Sequence, residues 1–168
     1  MTLVEAAVIA SLAGITLAVF VPTFFRHLRT SKIDEASQTL ADLAAAADSY
    51  YRTRHGSLRR CLPPAAGPLP SAPNAEPAEV DPAEAPGAAT WLALGFDPDG
   101  PLRYSYEFLP AQAGCDVRVE PGEALYTLRA TGDLDGDGRR STFERSTTLD
   151  EAGEPTDLGV LYVTDRIE

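Results

Sequence analysis

Residues 1–22 read MTLVEAAVIASLAGITLAVFVP, and this stretch decides how the rest of the chain is organised. From Ala6 to Phe25 the sequence holds 20 residues without a charge. At about 1.5 Å per residue, a helix of that length spans about 30 Å, which matches the hydrocarbon core of a bilayer. Glu5 stands at the edge of this run, where a carboxylate is costly. The stretch therefore predicts a membrane helix in which Glu5 has a function.

The segment Thr2-Leu3-Val4-Glu5, followed by an apolar run with Gly14 and Pro22, resembles the mature N-terminus of type IV pilins and pseudopilins. In that family a prepilin peptidase cuts just before residue 1, and the new N-terminus is methylated. Residue 1 is usually Phe in the family and is Met here, which keeps a large apolar side chain. The resemblance covers in detail the first third of the chain.

An ordinary signal anchor is the alternative for this stretch, although the basic region and the cleavage site of a signal peptide are not found in it. The nearest cations, Arg26, Arg29 and Lys32, follow the apolar run. The positive-inside rule alone would therefore place the C-terminus in the cytoplasm. The family has the opposite orientation, and the position of Glu5 favours the family motif over the charge rule.

The resemblance implies an α+β type IV pilin fold, in which a long kinked N-terminal helix packs on a C-terminal antiparallel β-sheet. Four regions are expected along the chain. They are an apolar membrane or filament-core helix (1–25), its amphipathic continuation (26–56), a proline-rich connecting loop (57–101) and the sheet domain (102–168). The protein would lie in the inner membrane until the pilus assembly machinery incorporates it into an extracellular filament for adhesion or motility.

Four residues are expected to serve assembly: Met1, Glu5, Gly14 and Pro22. In the filament core the Glu5 carboxylate would neutralise the Met1 amine of a neighbouring subunit or of its own, because a contact pair is tolerable in an apolar bundle and a lone charge is not. Pro22 removes one backbone hydrogen bond and predicts a kink, and Gly14 is a second weak point. Part of Gly14–Pro22 is therefore expected to be non-helical in the filament.

The hydrophobic pattern after the apolar run predicts more helix and then a sheet. From Ile33 to Tyr50 apolar residues recur at steps of three and four, which indicates one face of a helix, and one long kinked helix is expected over about residues 2–54. The proline-rich segment Pro63–Pro86 predicts an extended or loosely ordered connection. A short helical turn is expected over Thr90–Leu94. The apolar helix face comprises Ile33, Ala36, Leu40, Leu43, Ala47 and Tyr50. Short alternating segments predict antiparallel strands over Leu102–Phe108, Asp116–Val119, Ala124–Ala130, Phe143–Leu149 and Gly159–Thr164. The residues expected in the core are Trp91, Tyr104, Tyr106, Phe108 and Tyr126.

Residues 133–144 read DLDGDGRRSTFE and match the calcium loop of an EF-hand at every defined position. The flanking segments resemble strands instead of helices, and Arg140 stands where an aliphatic residue is usual. We expect a structural calcium ion here, and an acidic hairpin turn is the alternative. The expected ligands are Asp133, Asp135, Asp137, the carbonyl of Arg139, Ser141 and Glu144.

Charge and cysteine content limit the possible functions. The net charge of −11 is divided unevenly, with +2 over residues 1–60 and −13 over residues 61–168. Such an acidic region does not attract nucleic-acid phosphates, so no direct nucleic-acid binding is expected. Cys61 and Cys115 are the only cysteines, and export would favour a disulfide between them over two separate thiols. Closing that long loop stabilises the fold by about 4 kcal/mol in the loop-entropy model.

The sequence shows no catalytic constellation, so a structural protein and not an enzyme is expected. The leading interpretation is a structural subunit of a type IV pilus-like filament. A pseudopilin of a type II secretion system shares the same N-terminal motif. A membrane-anchored calcium-binding module that never assembles is the alternative from another class.

Overall fold

The computed structural model describes residues 3–56, 60–73, 75–120 and 122–164. Side chains are described for these residues except at Leu3, Ala6, 22–33 and 159–163. The chain divides into two compact units, Met1–Glu35 and Ala36–Glu168. Met1 lies outside the described residues, and so does the side chain of Pro22.

Helix α1 spans Leu3–Arg52 and contributes to both units. The predicted type IV pilin fold, with a long kinked helix packed on the sheet, is wrong for the described residues. Only the part of α1 from Ala36 onward belongs to the unit that contains the sheet. The side-chain pattern explains this division of the helix: the N-terminal part is apolar on every side, and only the later part has a single apolar face. The expected combination of helix and antiparallel sheet remains.

The later part of α1 has a buried apolar face with the predicted spacing. Tyr51 is buried in place of the predicted Tyr50, because Tyr51 follows the buried Ala47 by four positions. Tyr50 instead stacks on the ring of His55 at a centroid distance of 4.3 Å. The side chain of Ile33 is outside the described ones. The buried residues of this face are Ala36, Leu40, Leu43, Ala44, Ala47 and Tyr51.

The strands of the described residues are β1 (Cys61–Leu62), β2 (Ala66–Leu69), β3 (Tyr104–Pro110), β4 (Gly114–Cys115), β5 (Tyr126–Gly132), β6 (Ser141–Leu149) and β7 (Pro155–Thr164). Five of them form an antiparallel sheet in the order β2-β3-β5-β6-β7, and β1 and β4 form a short separate antiparallel pair. A short helix, α2 (Ala88–Ala93), precedes β3 and corresponds to the turn predicted at residues 90–94.

Two parts of the sheet differ from the sequence-based expectation. The strand predicted at Asp116–Val119 is absent, because Asp116 has a φ of 57°, which ends the extended backbone after β4. The proline-rich segment contributes β2, which was not predicted. This strand lies at the edge of the sheet, where the missing N–H group of Pro68 is tolerated.

The aromatic core is confirmed, since all five predicted residues are buried. Strand β5 alternates strictly between buried and half-buried positions, which directs Tyr126 and Leu128 to the core. Phe108 packs against Tyr126 at a centroid distance of 5.5 Å, and Tyr104 meets the edge of Phe143 at 5.6 Å. The core of the second unit is therefore built from the facing residues of β3, β5 and β6.

One polar contact joins α1 to this core. The hydroxyl group of Tyr126 donates to the carboxylate of Asp48 and lies 3.0 Å from the carbonyl oxygen of Ala44. Burial raises the pKa of Asp48 above its usual value, and the Tyr126 hydrogen bond and the charge of Arg52 offset only part of that rise. Burial and the neighbouring carboxylate raise the pKa of Tyr126 as well, so the phenol stays protonated and donates.

We predict that Asp48 makes the fold less stable as the pH rises. The folded protein binds this proton more tightly than the unfolded chain, whose carboxyl group titrates near 3.8. The contribution to stability is therefore present at low pH and is lost as the pH rises through the raised pKa of the folded state. Asp48→Asn cannot ionise and keeps an oxygen for Tyr126, so the stability of this variant relative to the wild type should increase as the pH rises from 3.8 through the raised pKa of folded Asp48.

Urea unfolding in mild detergent, followed through the fluorescence of the single tryptophan, Trp91, measures this difference. Asp42→Asn is the matched control, because it removes the same charge from an exposed position on the same helix. An equal pH dependence of the wild type and both variants would contradict the prediction.

Candidate functional sites

The N-terminal part of α1 presents a large exposed apolar surface. Its apolar side chains follow one another around the helix, so that every side of the cylinder is apolar. Helices of this kind are covered by a larger core or by lipid. The large apolar residues, each 45–71% exposed, are Val4, Val8, Ile9, Leu12, Ile15, Leu17, Val19, Phe20 and Val21.

The polar side chains within this surface are arranged for an apolar environment. The Ser11 hydroxyl donates to the carbonyl oxygen of Ala7 at 2.9 Å, and the Thr16 hydroxyl donates to that of Leu12 at 2.8 Å. Both hydroxyl groups are thus satisfied by the helix itself. Glu5 is exposed and is the one ionisable side chain in residues 4–21. A Cβ atom at Gly14 would meet no atom within 4 Å, so packing within the chain does not require glycine there.

The loop between β5 and β6 brings three of the predicted calcium ligands together. Oxygen atoms of Asp133, Asp135 and Asp137 all lie within 4.8 Å of one another. Loop N–H groups orient these carboxylates: Gly136 donates to Asp133 at 2.9 Å and Gly138 donates to it at 3.2 Å. Both glycines have positive φ angles, 77° and 88°, which other residues adopt at a cost. Three clustered carboxylates are oxygen ligands suited to a hard divalent cation.

Of the other predicted ligands, Glu144 is not in this carboxylate cluster, and the structure gives other contacts for Ser141 and Arg139. Glu144 lies in β6, where its carboxylate accepts from Arg129 Nε at 2.6 Å. Ser141 is buried, and its hydroxyl donates to the carbonyl oxygen of Gly132 at 3.4 Å. The Arg139 N–H group donates to Asp137 at 2.7 Å. An extended strand follows the loop where an EF-hand has a helix, so the chain carries Glu144 away from the aspartates.

Sequence reasoning missed the row of charges that holds Glu144. Glu107, Arg129 and Glu144 are direct cross-strand neighbours on β3, β5 and β6. Arg129 Nη1 lies 3.4 Å from Glu107 Oε2, and the hydrogen bond to Glu144 is the main cause that raises the pKa of Arg129. A hairpin centred between Gly136 and Asp137 places Arg129 opposite Glu144, so the sequence did contain a signal for this pair.

Cys61 and Cys115 are joined by a disulfide and lie opposite each other in the β1-β4 pair. This pair is separate from the five-stranded sheet, but it lies only a few residues along the chain from Ala66 and Phe108, which are paired between β2 and β3. The pairing of β2 with β3 already brings the two cysteines close together. The loop-entropy value of about 4 kcal/mol is therefore an upper bound for this bond.

No protein-family model, curated protein or solved structure matches this chain. Among the residues whose side chains are described, no helix combines the length and the apolar character needed to cross a membrane. The candidate sites therefore rest on the chemistry and geometry of the residues themselves.

We predict weak calcium binding by the three aspartates without a contribution from Glu144. With a Kd of about 1 mM, as extracellular sites can have, about 10 mM calcium would stabilise the fold by about 1.4 kcal/mol. Asp135→Asn removes one of the charged ligands and should abolish the rise in melting temperature. Glu144→Gln should keep it, because the Glu144 carboxylate pairs with Arg129.

Calorimetric melting of the full chain in detergent, with calcium and with a chelator, provides the measurement. Asp99→Asn is the control for loss of a negative charge, because Asp99 is exposed in a different turn. Melting that is identical in calcium and in chelator would show that this loop is only an acidic hairpin turn.

Proposed function

We propose that this chain is a structural subunit of a type IV pilus-like extracellular filament, in which copies assemble through their N-terminal helices. The observation that supports the proposal is the exposed apolar surface of residues 4–21, which surrounds the helix. Apolar surfaces of this extent mark an interface or a membrane contact. The internally bonded hydroxyls of Ser11 and Thr16 fit such a dry environment.

The proposal gives the same helix two successive environments. Before assembly it lies in the inner membrane, where the prepilin peptidase and the assembly machinery act on the subunit and the N-terminus becomes methylated. In the filament, identical helices replace the lipid. The acidic part of the chain, with a net charge of −13 over residues 61–168, then stays in water, where charge favours solubility.

Glu5 has a specific place in this assembly. A carboxylate among apolar helices needs a partner of opposite charge, because an unpaired buried charge costs several kcal/mol. The partner we propose is the α-amino group of residue 1 on a neighbouring copy. The pair sets the axial register of one subunit against the next, since only one displacement brings the two charges into contact. No catalytic step is part of the proposal.

Electron microscopy of filaments sheared from cells separates this proposal from its rivals. Long surface filaments composed of this subunit support the pilus. Short filaments confined to the cell envelope point to a pseudopilus of a secretion system. A membrane-anchored calcium-binding module would give no filament, and then the apolar surface of α1 would be covered by lipid alone.

We predict that Glu5→Ala leaves the subunit in the membrane fraction but lowers filament yield at least tenfold. Breaking a buried charge pair costs about 3–5 kcal/mol, and each 1.4 kcal/mol corresponds to about tenfold in association. Asp34→Ala is the matched control, because it removes an exposed carboxylate from the same helix beyond the apolar run. A wild-type filament yield from Glu5→Ala would refute the charge pair.

We also predict that Gly14→Leu impairs assembly without affecting the fold of residues 36–168. A side chain at Gly14 meets nothing within its own chain, so thermal melting should stay unchanged. In a bundle, small residues allow helices to approach closely, and Leu would hold them apart. Leu17→Met, which conserves volume on the same exposed surface, is the control. Normal filaments from Gly14→Leu would show that the helices do not meet at this position.

A further inference from the structure

The disulfide joins β1 and β4, and β1 shortly precedes the edge strand β2 in the chain. Strand β2 has four residues, includes Pro68 and shows an irregular register with β3. The separate β1-β4 pair, which carries the disulfide, has only two residues on each strand. Ladders this short are marginal on their own. The covalent bond between Cys61 and Cys115 therefore holds the backbones of β1 and β4 together.

Arg60 immediately precedes Cys61 and is held by the same ladder. Its carbonyl oxygen accepts from the N–H group of Asp116 at 2.9 Å, one residue beyond Cys115. Its guanidinium donates to the carbonyl oxygen of Gly153 and to the carboxylate of Glu154, in the turn between β6 and β7. The same guanidinium lies 5.6 Å from the ring centroid of Tyr51, which permits a cation–π contact.

The end of α1 converges on the same turn. Arg52 Nη2 donates to the carbonyl oxygen of Pro155 at 3.2 Å, and its Nε lies 3.5 Å from the carboxylate of Glu154. Glu154 thus contacts two arginines, one from the helix end and one from beside the disulfide. The turn also has its own bonds, because the N–H groups of Ala152 and Glu154 both donate to Asp150 at 2.8 Å. Arg60 and Arg52 therefore position a turn that forms locally.

We propose that the Cys61–Cys115 disulfide is an oxidation-dependent lock, which fixes Arg60 so that it holds the β6–β7 turn against the end of α1. In the reduced protein both sulfurs are thiols, and only two short strands restrain the backbone of Arg60. The entropic cost of ordering the long Arg60 side chain then opposes its contacts with the turn. In the oxidised protein the backbone is fixed, and that cost is lower.

The covalent step is thiol–disulfide exchange with a partner disulfide, as carried by oxidoreductases of oxidising compartments. The thiolate of one cysteine attacks a partner sulfur and expels a thiolate. The second cysteine then attacks the mixed disulfide and releases the partner as a dithiol. Two electrons and two protons leave the cysteine pair and appear on the partner. The lock closes when the chain reaches an oxidising compartment, whether or not it later assembles.

Hydrogen exchange of the full chain in detergent, oxidised and after reduction with dithiothreitol, tests the lock. We expect reduction to raise the exchange rate of the amides of residues 150–154 about tenfold, with a smaller rise at the end of α1 and no change in β3 and β5. The Cys61→Ser/Cys115→Ser variant should reproduce this pattern without reductant.

Arg60→Gln tests whether the disulfide acts on the β6–β7 turn through Arg60 or only holds its own two strands together. With the disulfide intact, this variant should speed exchange at residues 150–154 as much as reduction does and leave residues 61–62 unchanged. Arg118→Gln, at an exposed arginine near β4, is the control and should have no effect. The proposal is overturned if reduction acts only on residues next to the cysteines, if it loosens the whole sheet, or if Arg60→Gln leaves the turn protected.

Discussion

The packing of α1 from Ala36 to Tyr51 against the aromatic side of the sheet is the contact on which the other features depend. Three alanines on this face, Ala36, Ala44 and Ala47, leave room for large rings from the strands. Each large apolar side chain buried here contributes about 1.5–3 kcal/mol. The Tyr126 hydroxyl group fixes the rotation of the helix about its axis, because it contacts both the Asp48 carboxylate and the Ala44 carbonyl oxygen at only one rotation.

One helix thus carries two different apolar surfaces. In the unit Ala36–Glu168 the apolar face is one-sided and is covered by the chain's own sheet. In residues 4–21 the apolar surface surrounds the helix and is exposed. The first surface stabilises a domain, and the second is the one that we propose is covered by lipid and then by other copies of the helix. We therefore expect the stability of the sheet domain and the proposed assembly to respond to different substitutions.

The sequence predicted the features that depend on local periodicity. It did not predict those that depend on single backbone angles or on contacts between residues far apart in the chain. The helix face and most strands followed from periods of 3.6 and 2, apart from the exchange of Tyr50 for Tyr51. The missing strand at Asp116–Val119 depends on the single positive φ of Asp116, which no periodicity reveals. The bond between Arg60 and Glu154 joins residues 94 positions apart, so no local pattern indicates it. The long kinked helix was predicted from periodicity, from Pro22 and from the family resemblance, but the unit that contains the sheet includes α1 only from Ala36 onward.

The loop after β5 shows how the sheet limits a metal-binding motif. The turn alone assembles the three aspartates, because their spacing and the two glycines determine the local backbone. Bringing Glu144 into that cluster would require its side chain to leave the row of Glu107 and Arg129. Turning β6 over would also move Phe143 out of the core, since a shift of one residue exchanges the two faces. Burial of Phe143 contributes about 1.5–3 kcal/mol, and a weak calcium site contributes less. Glu144 therefore stays paired with Arg129. Any cation at the loop must take its remaining ligands from water or backbone oxygens.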